Sequence, residues 1–277
     1  MAGTRRAGRW GRGTVFLLVA VVLYLAILLL LPIAALVAQA VRTGLGSLFG
    51  QLFTGDALRA LEMSVILAVI AAVVNGIFGI AAGIVFVRHR FLGRRVLDAL
   101  SDMPLSVSPV MVGLAFLLIF GRGGWFTPML DLLHFKITFA FPGLVLATLF
   151  VTLPFTLREV SYVLQELGEE EEEAAAILGA SPWQIFFRVT LPNVKNALAY
   201  GVTLTIARAL GEFGAVLIIG GAISGKTQTG TTFINVAMEE RRDAAAYGMA
   251  LVLAVASVLL LLVLEALKKV EIRPDEQ

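Results

Sequence analysis

The most informative stretch of the sequence covers residues 173–192 and reads EAAAILGASPWQIFFRVTLP. It follows an acidic run and lies between two long apolar segments. Gly179 is placed to end a first helix as a C-terminal glycine cap. Ser181 and Pro182 are placed to begin a second helix, as N-cap and first helical residue, which ends before Pro192. Because alanines and aromatic residues give this pair apolar faces, we interpret it as a docking element for a soluble protein rather than a solvated acidic loop.

The chain has the composition of a polytopic membrane protein. Hydrophobic residues make up 58% of the 277 residues and charged residues 15%, whereas a soluble domain has about 45–50% and about 25%. A helix needs about 20 apolar residues to cross the hydrocarbon core of a membrane. Six segments meet this requirement, namely residues 14–40, 58–87, 103–120, 137–157, 197–221 and 244–267. We therefore predict an all-α membrane protein with six transmembrane helices.

Basic residues predict the orientation of these spans. If the N-terminus is cytoplasmic, 14 of the 22 lysines and arginines lie inside, 7 lie outside, and Arg208 lies within a span. The positive-inside rule then predicts that both termini are cytoplasmic, together with residues 158–195. The docking element would thus face the cytoplasm.

The first apolar segment has a second possible interpretation. Residues 38–40, Ala-Gln-Ala, loosely resemble a signal-peptidase site, but the apolar run exceeds the 7–15 residues of a signal core. We interpret it as a retained span, with cleavage as the alternative. The predicted organisation is a basic segment with the first span (1–57), a core of five spans (58–267) and a cytoplasmic tail (268–277).

The side chains available exclude several kinds of chemistry. The chain has no cysteine, so disulfides, thiol catalysis and cysteine-ligated metals are excluded. His89 and His134 are far apart in the sequence, so we expect no histidine metal cluster. The net charge of +2 gives no support for nucleic-acid binding. No nucleophile–base constellation is visible, and we expect neither catalysis by this chain nor a cofactor in it.

Small residues recur every four positions along the second span. Ala71, Asn75, Gly79 and Gly83 share one helix face, and such spacing lets helix backbones approach closely in lipid. We interpret this stripe as a packing face within the chain, with a dimer seam as the alternative.

The start of the third span combines prolines with polar residues. Pro104 and Pro109 interrupt it, and Asp102, Ser106 and Ser108 lie beside them. Interrupted polar segments at membrane depth occur where they line a cavity or are buried in protein. The three polar residues are therefore candidates for a transport pathway or gate, and a simple proline kink is the alternative.

Two ionisable residues lie within the fifth span. Arg208 and Glu212 are four residues apart, so on one helix they would share a face and pair. Charges at this depth are costly and face a bundle interior or an aqueous path. We interpret them as a neutralised pair that locks helices together, or as a gate that attracts an anion.

One motif is misleading. From Gly220 to Thr227 the sequence GGAISGKT matches the phosphate-loop pattern, which requires a strand before the loop and a helix after it. Here the loop follows a membrane span and faces outside on the predicted topology. We therefore predict an external turn and no nucleotide site.

The docking element also carries a family signature. It resembles the EAA signature of ABC-importer permeases, with Val189 where that family usually has isoleucine. In that family the element is the coupling helix pair that sits in a cleft of a cytoplasmic ATPase, here at about residues 167–192. The resemblance implies that the ATPase-coupling residues are Glu173, Ala174, Ala175, Gly179, Leu191 and Pro192.

Three further stretches are similar to sulfate and thiosulfate permeases, particularly the W-type subunit. They are residues 102–110, 141–143 and 207–215. The resemblance implies the type I ABC importer permease fold and a place in the inner membrane. It also implies a cytoplasmic ATPase dimer that uses ATP and Mg, an extracytoplasmic substrate-binding protein, and a T-type sister permease or a second copy of this chain.

Two alternatives to sulfate import stay open. Molybdate and tungstate permeases share much of this pattern, and they would pair two copies of one chain. An ion-gradient-driven transporter would need no ATPase, but such proteins place several ionisable groups at the midplane.

Overall fold

A computed structural model describes residues 12–53 and 55–271, and the structural statements below refer to these residues. Every regular element in them is helical, which confirms the predicted all-α fold. Residues 1–11 of the predicted basic segment and residues 272–277 of the predicted tail lie outside the described residues.

The first seven helices lead from the N-terminal segment to the middle of the chain. They are α1 (Arg12–Thr43), α2 (Leu45–Leu52), α3 (Gly55–Arg88), α4 (Arg94–Ser101), α5 (Met103–Ser106), α6 (Pro109–Phe120) and α7 (Thr127–Leu132). The next seven are α8 (Phe141–Leu167), α9 (Glu170–Ile177), α10 (Pro182–Ile185), α11 (Leu191–Leu210), α12 (Gly214–Gly220), α13 (Gly230–Glu239) and α14 (Asp243–Glu271). A π-helical turn, Phe186–Thr190, joins α10 to α11.

Four helices in the described part are long and apolar enough to cross a membrane. They are Gly13–Thr43, Gly55–Arg88, Phe141–Leu167 and Asp243–Glu265. The run Pro182–Leu210 and α12 give a fifth crossing if they are counted together, and they are bent by 55°. The most apolar window of α1 buries no residue, so this helix lies at the periphery of the chain.

The predicted third span, residues 103–120, is interrupted at its start, as its two prolines predict. Val107 and Ser108 are extended, with ψ of 136° and 135°. Pro109 causes this break because its ring disfavours helical backbone at the residue before it. At 12 residues, α6 is about 18 Å long, shorter than the hydrocarbon core of about 30 Å. A sixth crossing would need α5 and α6 together.

The small-residue stripe of α3 packs against α8 at the centre of the molecule. Asn75 Nδ2 donates to Leu149 O at 3.0 Å and to Thr152 Oγ1 at 2.8 Å. A Cβ on Gly79 would lie 2.8 Å from Thr156 Cγ2, so only glycine fits this crossing. The predicted packing within the chain is confirmed.

Glycines also set the approach of α6 to α12. A Cβ on Gly113 would lie 2.8 Å from the carbonyl oxygen of Ala215, and one on Gly214 would lie 2.9 Å from Val110 Cγ2. Both glycines are buried. The start of α6 therefore lies directly beside the break between α11 and α12.

Candidate functional site

The bend of the docking element follows the local sequence signals. Gly179 has φ of +84°, which only glycine adopts at low cost, and it ends the first helix. Ser181 is the N-cap of α10 and Pro182 opens that helix. Gln184 completes a capping box, since its Oε1 accepts the Ser181 N–H at 2.8 Å. These predicted helix ends are confirmed. With the residues that flank the two helices, the docking element covers residues 167–192.

The second helix of this element does not end before Pro192, and that prediction was wrong. Helical backbone continues from Pro182 to Leu210 through the π-helical turn. Within the turn, Leu191 N donates to Phe186 O, five residues back. Pro192 has no N–H and its ring would crowd the carbonyl four residues before it in an α-helix. The wider turn accommodates the proline without breaking the helix.

The outer surface of the docking element is apolar. Ile177, Leu178 and Trp183 are 86%, 88% and 73% exposed, and Phe187 is also exposed. Trp183 and Phe187 stack with ring centroids 6.0 Å apart. Such exposed large side chains mark an interaction surface. A cleft of about 350 Å³ separates α9 from α10.

The predicted coupling residues lie on or beside this surface. Glu173, Ala174 and Gly179 are exposed and Ala175 is half-buried. Leu191 is half-buried and Pro192 exposed at the start of α11. The structure thus brings the first four together at the α9–α10 bend and places the last two one π-helical turn away.

Sequence reasoning missed the residues that attach the docking element to the spans. Glu172 accepts a hydrogen bond from Arg88 Nε at 2.9 Å and another from Thr190 Oγ1 at 2.7 Å. Arg88 is the last residue of α3, 84 positions away in the sequence. No periodic pattern links positions so far apart, so no sequence signal could have found this pair.

The predicted pairing of Arg208 with Glu212 is confirmed, but its placement on one helix was wrong. The Arg208 Nη1 to Glu212 Oε2 distance is 2.7 Å, with side chains 31% and 1% exposed. The helix α11 ends at Leu210, and Glu212 lies in the break before α12. Its Oε1 accepts the Ala215 N–H at 2.9 Å and its carbonyl accepts from Thr231 Oγ1. The carboxylate therefore ties α11 to α12, and the backbone carbonyl of Glu212 ties the break to α13.

The other predicted pathway residues are divided between two places. Asp102 pairs with Arg158 of α8, at 2.5 Å from Nε to Oδ1, and both side chains are partly exposed. Ser106 and Ser108 are exposed. Ser108 directly precedes Pro109, and a Cβ added to Gly214 would lie 3.3 Å from the Cβ of Pro109. The structure thus brings Ser108, but not the Asp102 pair, to the α11–α12 break.

The phosphate-loop look-alike forms a closed turn after a helix. It follows α12, where a phosphate loop would follow a strand. Thr227, the residue that would reach magnesium, is 1% exposed. Its hydroxyl donates to Gly220 O at 2.6 Å and accepts from Ile223 N at 3.1 Å. These bonds occupy the hydroxyl that would face magnesium in a phosphate loop.

Comparison with known proteins identifies the family. The family described as binding-protein-dependent transport system inner membrane component matches residues 75–270. The sulfate transport system permease protein CysW of Synechococcus elongatus is 43% identical over 88% of this chain and 85% of its own length. The sulfate transport system permease protein CysT of Escherichia coli is 37% identical over 89% of each chain.

The fold has a solved counterpart. A chain in the crystal structure of a bacterial alginate ABC transporter, in complex with an alginate pentasaccharide-bound periplasmic protein, aligns with a TM-score of 0.76 at 15% identity. The alignment covers 93% of this chain and 94% of that one. The helices described above therefore have the type I ABC importer permease fold, and the chain belongs to the family of inner membrane components of binding-protein-dependent transport systems.

Proposed function

We propose that this chain is a permease subunit of an ATP-driven sulfate and thiosulfate importer, of the W type. The observation that carries the proposal is the docking element, which presents exposed apolar side chains and the EAA signature beside the spans. The substrate is supported by the relatives, which are named sulfate permeases. Identity is 43% with CysW and 37% with CysT, which favours the W type.

In this mechanism the chain performs no covalent chemistry. A cytoplasmic ATPase dimer binds ATP and Mg, closes and opens, and carries the docking element with it. The spans then alternate between outward- and inward-open states while an extracytoplasmic binding protein delivers the anion. Glu173, Ala174, Ala175, Gly179, Leu191 and Pro192 are the proposed contacts to the ATPase.

The proposed assembly contains a second permease. The second permease is a T-type sister subunit. The alternative is a homodimer of this chain, as in molybdate systems. Both termini lie in the cytoplasm in this arrangement, and residues 58–267 form the permease core. The family match over residues 75–270 supports that core.

We also propose where the anion passes. The α11–α12 break and the start of α6 adjoin each other, so Arg208 and Ser108 are candidates for a gate. Arg208 is 31% exposed and can attract an anion, while the ion pair with Glu212 holds the Arg208 side chain in place. Ser106 and Asp102 would line the approach at the break between α5 and α6.

Transport by the reconstituted complex tests the function. The chain, its sister permease, the ATPase and the binding protein are placed in liposomes, and uptake of labelled sulfate is followed with and without ATP. We expect ATP-dependent uptake that excess thiosulfate suppresses and excess molybdate does not. Suppression by molybdate would indicate the molybdate alternative. Uptake driven by an ion gradient without ATP would overturn the importer.

A further inference from the structure

We infer that the Arg88–Glu172 ion pair is the link through which movement of the docking element reaches α3, with Glu172 as a positioning residue. The inference rests on the proposed function, because the movement is the one that the ATPase would impose.

One carboxylate joins the ends of several helices. Glu172 Oε2 accepts from Arg88 Nε at 2.9 Å, and Glu172 Oε1 accepts from Thr190 Oγ1 at 2.7 Å. Arg88 also donates through Nη1 to the carbonyl of Leu164, in the last turn of α8, at 3.0 Å. Both oxygens of the carboxylate are thus engaged, one by α3 and one by the π-helical turn. These charge-assisted bonds are stronger than neutral ones.

The ion pair is shielded from water. The side chains of Arg88 and Glu172 are 10% and 22% exposed, and Thr190 is 6% exposed. A partly buried charge that loses its partner is strongly disfavoured. The two residues therefore move together rather than separating during a change of conformation.

The rest of α9 has little else to position it. None of its residues is buried, so no buried apolar side chain anchors it to the spans. Its connections on both sides contain glycines with positive φ, Gly168 at +68° and Gly179 at +84°. Neither glycine has an atom within 4 Å of the place where a Cβ would be. Of the polar contacts, Glu171 to Asn193 Nδ2 reaches α11, whereas Glu172 reaches α3.

A displacement of Arg88 is transmitted along α3 to the centre of the helix bundle. Arg88 ends the helix whose Asn75 and Gly79 pack against α8. Since packed helices at such close crossings shift as units, displacement of the C-terminal end of α3 carries over to this crossing. Sequence neighbours of Glu172 in the acidic run lack this connection to α3.

The first experiment compares two glutamates in the reconstituted complex. Glu172→Gln removes the charge of the bridging residue, and Glu170→Gln makes the same change at an exposed position two residues away. We expect Glu172→Gln to reduce the sulfate imported per ATP hydrolysed by about tenfold, the order of one charge-assisted hydrogen bond. Glu170→Gln should retain the wild-type ratio. An unchanged ratio in Glu172→Gln would overturn the inference.

The second experiment restores the link chemically. The chain has no cysteine, so the pair Arg88→Cys and Glu172→Cys can be joined specifically by a short bifunctional thiol reagent. We expect the unlinked pair to hydrolyse ATP with little import, and the joined pair to regain import. A loss that arises from misfolding would not be reversed by a bridge added after purification. Failure of the bridge to restore import would contradict the inference.

The two proposals fail differently. If the wild-type complex shows no ATP-driven uptake, the proposed function is wrong and the inference falls with it. If the wild type is coupled and Glu172→Gln is equally coupled, only the inference is wrong.

Discussion

Two largely buried ionised side chains, Glu212 and Arg88, each make a backbone hydrogen bond as well as an ion pair. Glu212 pairs with Arg208 and accepts the Ala215 N–H. Arg88 pairs with Glu172 and donates to the Leu164 carbonyl. Burying a charge is tolerated only when it is paired and its remaining hydrogen-bonding groups are satisfied. Each of these residues is therefore bound to a helix end, where free backbone groups exist.

Removal of the Glu212 carboxylate should destabilise the fold. Glu212→Ala leaves Arg208 unpaired and the Ala215 N–H without its acceptor. We expect the free energy of unfolding to fall by about 3 kcal/mol, the order for breaking a buried pair, and Glu212→Gln to lose less because its amide oxygen can still accept. Chemical unfolding of the purified chain in detergent measures both, with the exposed Glu170→Ala as control. Wild-type stability combined with lost uptake would instead favour a role in the gate.

Single-residue predictions from sequence succeeded where the signal is local. Gly179, Ser181 and Pro182 mark helix ends through backbone geometry and capping, which depend on a few neighbouring residues. The pairing of Arg208 with Glu212 was predictable from spacing, although Gly211 ends the helix between them. The ion pair of Glu172 was not predictable, because the sequence does not distinguish this residue from the neighbouring acids. Its partner is fixed only by the tertiary packing of α3 against α8.

At the scale of elements, the docking element depends on the sharp bend between α9 and α10. The bend leaves Ala175, Gly179 and Gln184 around one cleft, and the stacked rings of Trp183 and Phe187 on the exposed side of α10. Because no residue of α9 is buried, the backbone conformation at the bend, together with the polar contacts of α9, determines how the two helices are arranged.

Substitution of Gly179 tests this dependence. A Cβ there meets no atom within 4 Å, but φ is +84°, so Gly179→Ala is strained by about 1 kcal/mol through the backbone alone. We expect Gly179→Ala to weaken co-purification of the ATPase and Gly179→Asn to weaken it less, because asparagine tolerates positive φ. Equal recovery of the ATPase with Gly179→Ala and wild type would argue against the bend as the binding determinant.

Element boundaries were predictable only in part from hydropathy. The fourth predicted span, residues 137–157, captures the apolar half of α8, but the helix runs to Leu167 because helical hydrogen bonding does not stop at a polar residue. The prolines of the third span predicted an interruption, and the structure has it at Val107 and Ser108. Pro192 looked like a helix stop, yet the π-helical turn accommodates it.

On the scale of the whole molecule, orientation is the property that connects every proposed role. Basic residues predict that the docking element and both termini face the cytoplasm. The same prediction places the cleft of about 790 Å³ lined by Arg122 and Lys136 on the outer side. A substrate-binding protein would then approach the face opposite the ATPase.

Site-directed labelling tests this orientation directly, because the chain has no cysteine of its own. Leu92 is fully exposed in the turn after α3 and Trp125 is 85% exposed between α6 and α7. We expect Trp125→Cys to react with a membrane-impermeant maleimide in intact cells. Leu92→Cys should react only after the membrane is permeabilised. The reverse pattern would place the docking element outside and remove the basis for an ATPase partner.

The π-helical turn has a consequence for the direction in which the protein presents its partner surface. A π-helical turn holds one residue more than an α-helical turn, and each residue of an α-helix turns the chain by about 100°. Relative to α11, the Trp183–Phe187 stack is therefore rotated about the helix axis by about a quarter-turn from the direction that it would have on an unbroken α-helix. Deleting a single residue of the π-helical turn would rotate these stacked rings around the helix axis. The angle at which the proposed ATPase would meet the membrane helices thus depends on the number of residues before Pro192, independently of which side chains make the contact.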